Sequence, residues 1–191
     1  MQRSEITPSP QQMRALTHPT RLRMLGILRT EGSTTATALA HRLGLNTGAT
    51  SYHLRQLAQH GFVVEDAERG NARDRWWKAA HRMTTTDTAG PDEPEARETL
   101  DAYLQSVVVV TTERLQRSVE ELPLLPEEWR DATTYSDWVV TLTPRKARAV
   151  IEQLIEAMKE IEEEEDDDEA APYVLQLNAF PYPGKVGSQE P

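Results

Sequence analysis

The stretch from Gly44 to Gly61 constrains this chain more than any other. Leu43, Leu45, Thr50, Leu54 and Leu57 recur at helical spacing, so one face of a helix here is set for burial. Asn46 is a good N-cap for that helix. Gly44 suits a tight turn before it and Gly61 a stop after it. The other face carries Thr47, Gly48, Ser51, Tyr52, Arg55 and Gln56. Two readings fit that face. It is an ordinary solvated surface, or it is the surface of a helix that enters a DNA major groove. In the second reading Arg and Gln reach base edges while Thr and Ser reach phosphates.

The flanks favour the second reading. Upstream, His18-Pro19 opens a helix with proline at its first position, and Leu22, Leu25 and Leu28 repeat along it. Ser33-Thr34-Thr35 opens another, with Ala36, Leu39, Ala40 and Leu43 on one side. Helices are expected at about 10–17, 19–30, 34–43 and 47–60. Downstream, a strand from Phe62, a turn rich in Gly, Asn and charge, and a strand from Arg75 make a basic hairpin over about 62–79. Arg69, Asn71, Arg73 and Arg75 lie in or beside its tip, where a phosphate or minor-groove contact is made. Trp76 and Trp77 alternate across the returning strand, so one faces the core and the other the surface.

The order of these pieces resembles the ArsR-type winged helix-turn-helix repressors. The resemblance covers roughly residues 11–83, and Ser51, His53, Leu54 and Leu57 followed by Gly61-Phe62-Val63 are its most specific part. It implies a dimeric, sequence-specific regulator that binds double-stranded DNA, often as a sensor. The metal sensors of that family carry Cys-rich sites, and this chain has no Cys. No cofactor or metal is expected. His53 is expected to pack rather than to ligate, and the acidic run 162–169 reads as a solvated charge run rather than a cation site.

Charge is informative only by halves. The total is −10. Residues 1–85 hold 12 Lys and Arg against 6 Asp and Glu, and residues 86–191 hold 9 against 25. The half with the helix-turn-helix pattern is therefore basic and the rest acidic. The absence of Cys excludes disulfides and thiolate ligands and fits the cytosol. There is no apolar run of membrane-spanning length and no secretory signal pattern at the start. No nucleophile stands near a base at a readable spacing, so catalysis is not expected.

The expected fold class is mainly α with a small β component. A winged helix-turn-helix domain (1–83) is followed by a linker (84–94), a dimerisation and effector domain (95–180) and a disordered tail (181–191). Residues 1–10 are expected to fray, and residues 1–90 to hold their own core. A long helix over 95–121 carries the stripe Leu100, Tyr103, Leu104, Val107, Thr111, Leu115 and Val119, which is expected to pair with a second copy. Strands are expected at 138–142 and 173–180 around an amphipathic helix that follows Thr143-Pro144. Tyr103, Trp129 and Trp138 are candidate lining for a small-molecule effector pocket. The alternative function is a winged-helix protein-interaction module that does not read DNA.

Overall fold

The computed structural model describes residues 5–69, 74–86, 93–164 and 166–186. Packing divides the chain into two units, 1–132 and 133–191. In the first unit β1 (Glu5–Ile6) precedes α1 (Pro10–Leu16) and α2 (Pro19–Thr30). Then come β2 (Thr34–Thr35), α3 (Ala36–Leu43), α4 (Thr47–Gln59), β3 (Val63–Glu65), β4 (Trp76–Ala79) and β5 (Met83–Thr84). The long α5 (Pro94–Glu121) and the short α6 (Glu127–Asp131) close it.

The starts of α1 to α4 are each capped by a side chain. Ser9 and Gln12 form a reciprocal capping box at α1. The Nδ1 of His18 accepts from the Thr20 amide at 3.2 Å, and Thr35 caps α3 by accepting from the Ala38 amide. Asn46 Oδ1 accepts from the Ala49 amide at 2.8 Å, as its place in the sequence predicts. Gly44 ends α3 at φ 65°, a left-handed conformation that side-chain-bearing residues adopt at a cost.

The wing is a three-stranded antiparallel sheet in the order β2-β4-β3, with Thr34 opposite Trp77 and Val63 opposite Ala79. Trp77 is buried and Trp76 half-buried, as the strand alternation predicts. The expected fraying of residues 1–10 is corrected in part. Glu5–Ile6 pairs in parallel with Met83–Thr84, so the start of the chain is tied to the exit of the wing. Glu5 and Ile6 are held because β5 offers an edge beside them.

The core joins Met13 and Leu16 of α1, Met24, Leu25 and Leu28 of α2, Leu39 of α3, and Leu54 and Leu57 of α4 to Phe62, Val63 and Trp77. It also contains Leu100 and Tyr103 of α5, only 4% and 5% exposed. This corrects the expectation that the whole α5 stripe is free for a second copy. Leu100 and Tyr103 bury against their own domain, and Leu104 and Val107 pack on the same cluster. The Ser106 hydroxyl donates to the Thr17 carbonyl at 2.7 Å, and Arg23 grips Glu113 through two nitrogens, one at 2.8 Å. Tyr103 accepts from the Thr86 hydroxyl and is a core residue rather than pocket lining. The first unit therefore extends through α5, and residues 1–90 lack part of its core. Beyond that contact Val108, Leu115 and Val119 stand exposed. The run Val107–Val110 is helical despite its β-branched side chains, because Leu100 and Tyr103 before it are buried in the core and Glu113 after it is held by Arg23.

In the second unit only α7 (Pro144–Lys159) is regular among the described residues. Thr143 caps it and Pro144 occupies its first turn, as predicted. The strands expected at 138–142 and 173–180 do not form. A strand needs a ladder partner, and two short candidates without a supporting face are marginal. Trp138 is 81% exposed.

Leu100→Ala is expected to cost the first unit about 2–5 kcal/mol, because it opens a cavity among α1, α2 and α5. Chemical denaturation of residues 1–132 measures it. An effect below about 1 kcal/mol would return Leu100 to the surface stripe.

Candidate nucleic-acid interface

The site is built by fixing one face of α4 and leaving the other in solvent. Leu54 and Leu57 are fully buried. Between them and the helix start, Thr50 is buried and donates its hydroxyl to the Ala36 carbonyl of α3 at 2.9 Å. Three anchors on one side leave no rotational freedom, so the opposite side is a defined surface. Thr47, Gly48, Tyr52 and Arg55 are exposed there, Tyr52 by half, and Ser51 and Gln56 are half-buried.

The wing comes to the same place. A cleft of about 280 Å³ is lined by Thr47, Ser51 and Arg55 of α4 and by Asp74, Arg75 and Trp77 of the hairpin. Thr35 and Thr37, at the start of α3, close its third side. Hydroxyls, the side chains of Arg55 and Arg75 and the start of α3 thus converge on one groove beside the Asp74 carboxylate, and hydroxyls and guanidinium groups are donors that a phosphate backbone accepts from.

The wing arginines are not equivalent. Arg69 lies over the Trp76 ring at 5.9 Å, which braces its charge at the surface. Arg75 stacks on Trp77 at the same distance, but its Nε also pairs with Glu65 at 2.9 Å. Part of its charge is therefore already answered within the sheet. Asn71 and Arg73 lie outside the described residues.

Two features of the site have no signature in the sequence. Asp66 reads there as the polar end of a strand. In the structure it is buried and accepts hydrogen bonds from the Ser33 hydroxyl and from Lys78 Nζ, the latter at 3.2 Å. The Ser33 bond first, and then Lys78, hold its carboxyl below the usual range. Arg29 is the second. It donates to the His81 carbonyl and to the Thr84 hydroxyl, both at 2.8 Å, and so ties α2 to the chain leaving the wing. Burial lowers its pKa to about 10, so it keeps its charge at neutral pH. Neither could be found from spacing, because their partners are 12 to 55 residues away.

Behind Tyr52, the His53 ring packs on His18 with centroids 4.7 Å apart. The buried Nδ1 of His53 makes no hydrogen bond. Burial, then His18 and Arg21, keep its pKa below the ordinary imidazole value. It is neutral at pH 7 and supports Tyr52 edge-on at 5.6 Å. Among the described residues no three His, Asp or Glu side chains converge to hold a metal, and no helix is long and apolar enough to cross a membrane.

Residues 16–66 match the sequence model of a helix-turn-helix domain. Among solved structures, the chain is similar to a possible transcriptional regulator for arsenical resistance, at 25% identity, with 56% of this chain and 94% of that one covered and a TM-score of 0.33. It is also similar to a mutant of Lactococcus lactis ZitR in apo form, at 15% identity, over 74% and 80% of the two chains, with a TM-score of 0.32. No protein of curated function matches it. With β3 and β4 behind α4, the first unit is a winged helix-turn-helix, a DNA-binding architecture.

The Asp66 clasp predicts a pH dependence of known sign. A carboxyl held low in the folded state stabilises it fully above the unfolded value, about 3.9, and the gain is lost as pH falls toward the folded value. The stability gap between the native protein and Asp66→Asn should therefore be widest at neutral pH and shrink below pH ~4. Denaturant melts from pH 7 to 3 measure it, and a gap constant across that range would remove the clasp.

Proposed function

We propose that this chain is a dimeric, sequence-specific transcriptional regulator of the ArsR type that represses from a pseudo-palindromic operator in the cytoplasm. One observation carries the reading. The exposed face of α4 and the base of the wing meet in one cleft lined by the hydroxyls of Thr35, Thr37, Thr47 and Ser51 and by Arg55 and Arg75, with Asp74 and Trp77 beside them. Arg55 and Gln56 are the base readers, with Tyr52 beside them, while Thr47, Ser51 and Arg69 bind phosphate. The basic first half of the chain supports this, since its net charge opposes that of DNA where the total does not.

A pseudo-palindromic operator calls for a dimer, whose two recognition helices, about 34 Å apart, meet half-sites one turn of DNA apart. The outward residues of α5, Val108, Leu115 and Val119 with Thr111 beside them, supply the two-fold seam. Leu100 and Tyr103 stiffen α5 from inside rather than joining that seam.

Site selection from random duplexes, followed by titration of the selected site, tests the reading. Arg55→Ala should cost about 1–3 kcal/mol and relax preference at one base pair. Arg69→Ala should weaken every sequence alike and flatten the salt slope by about one unit. Equal loss of preference from both would sink the division of labour. Failure to select any sequence would favour a protein-interaction module.

The regulator is also proposed not to take metal as its signal, since the chain has no thiolate to offer. After chelator treatment, micromolar Zn²⁺, Cd²⁺ or arsenite should leave operator affinity unchanged. Reproducible tenfold release by any of them would overturn this.

A further inference from the structure

A groove of about 690 Å³ runs between α2, the end of α3 and the later part of α5. It shares no residue with the wing cleft. Its volume lies within the roughly 300–1,000 Å³ of small-molecule sites. Part of its lining is apolar: Ile27 of α2, Leu43 and Leu45 on either side of Gly44, and Val110 of α5. Gly26 widens it. A glycine inside a helix weakens that helix, yet packing does not demand one here. A Cβ at this position would meet only the Arg114 guanidinium, at 3.6 Å. The missing side chain leaves space in the groove instead.

The charges around the groove do not cancel. Four arginines and two glutamates line it. Arg23 takes Glu113 through two nitrogens, and Arg42 pairs with Glu31 at 2.6 Å. Both carboxylates are thereby answered, and Arg114 and Arg117 are left over. Among the described residues neither of these two makes an ion pair or a side-chain hydrogen bond. Glu113 feels the charge of Arg117 only from farther off. One solvated guanidinium on a helix is ordinary. Two of them one turn apart, beside an apolar wall, suit an anion that carries an apolar body. The groove also stays open in the dimer proposed above, because Val110, Arg114 and Arg117 lie on the side of α5 opposite Val108, Leu115 and Val119.

We propose that this groove binds a small organic anion, with its charged head on Arg114 and Arg117 and its apolar body against Ile27, Leu43, Leu45 and Val110. Carboxylate and phosphate heads both match the guanidinium fork. The site stands whether or not the chain reads DNA. Gly44 leads into α4, so in the regulator proposed above the occupant lies against the joint of the recognition helix. Only that consequence rests on the proposed function.

The test uses the full chain without DNA, by calorimetric titration with 2-naphthoate, 2-naphthyl phosphate, the uncharged 2-naphthamide and inorganic phosphate. At least one of the two naphthyl anions should bind about tenfold or more tightly than both the amide and inorganic phosphate. The tighter of the two identifies the head group. Arg114→Gln with Arg117→Gln should weaken that anion about tenfold or more. Both positions are exposed, so these substitutions spare the fold, and circular dichroism verifies it. Arg145→Gln with Arg148→Gln removes the same charge from the second unit and should leave binding unchanged. Gly26→Leu fills the groove at constant charge and should weaken binding as the first pair does. The proposal is overturned if neither anion binds, if the amide binds as tightly, or if the control pair costs as much as the groove pair. Undiminished binding to a folded Gly26→Leu chain places the ligand elsewhere and overturns it too. So does inorganic phosphate held as tightly as the naphthyl ester, the mark of a bare phosphate contact such as a DNA backbone makes.

Discussion

Everything at the interface depends on the burial of one face of α4. Leu54 and Leu57 are closed off from solvent, and the Thr50 hydroxyl is spent on a carbonyl of α3. A single apolar contact would allow the helix to roll. Two leucines one turn apart and a directed hydrogen bond do not. The exposed side chains inherit their positions from that anchorage, and so does the cleft that they share with the wing. The neutral His53 packed on His18 extends the same principle to Tyr52, whose ring is backed by aromatic contact rather than by a charge.

The long helix has two roles that change along its length. Near its start it is a core element, holding α1 and α2 together through Leu100, Tyr103 and Ser106. Past Val107 the same helix stays alongside α2, steadied by the Arg23–Glu113 pair, while Val108, Leu115 and Val119 face outward. The pair is partly exposed, so its worth lies in direction more than in energy.

The local grammar of both units was legible in the sequence. Proline at helix starts, Asn46 and Thr143 as caps, Gly44 at the turn and the alternation of Trp76 and Trp77 all act within a few residues, and each appears where it was expected. What acts across tens of residues was not legible. A stripe such as Leu100 to Val119 shows that a face is apolar but not which neighbour covers it, and here one end went to the chain's own core. Asp66 and Arg29 look like surface charges until their partners are folded beside them. The pairing of Glu5–Ile6 with Met83–Thr84 is too short to leave any pattern. Residues 138–142 and 173–180 have the alternation of strands, but alternation describes a side-chain preference and cannot provide the missing ladder.

The Asp66 clasp has a mechanical consequence. One carboxylate holds Ser33, which leads into the helix-turn-helix, and Lys78, which lies in the returning strand of the wing. The clasp thus rivets the base of the wing, β2 against the β3–β4 pair, at a single carboxylate. Removing that one group loosens two joints at once, so a substitution at Asp66 reaches the segment that leads into α3 as well as the hairpin.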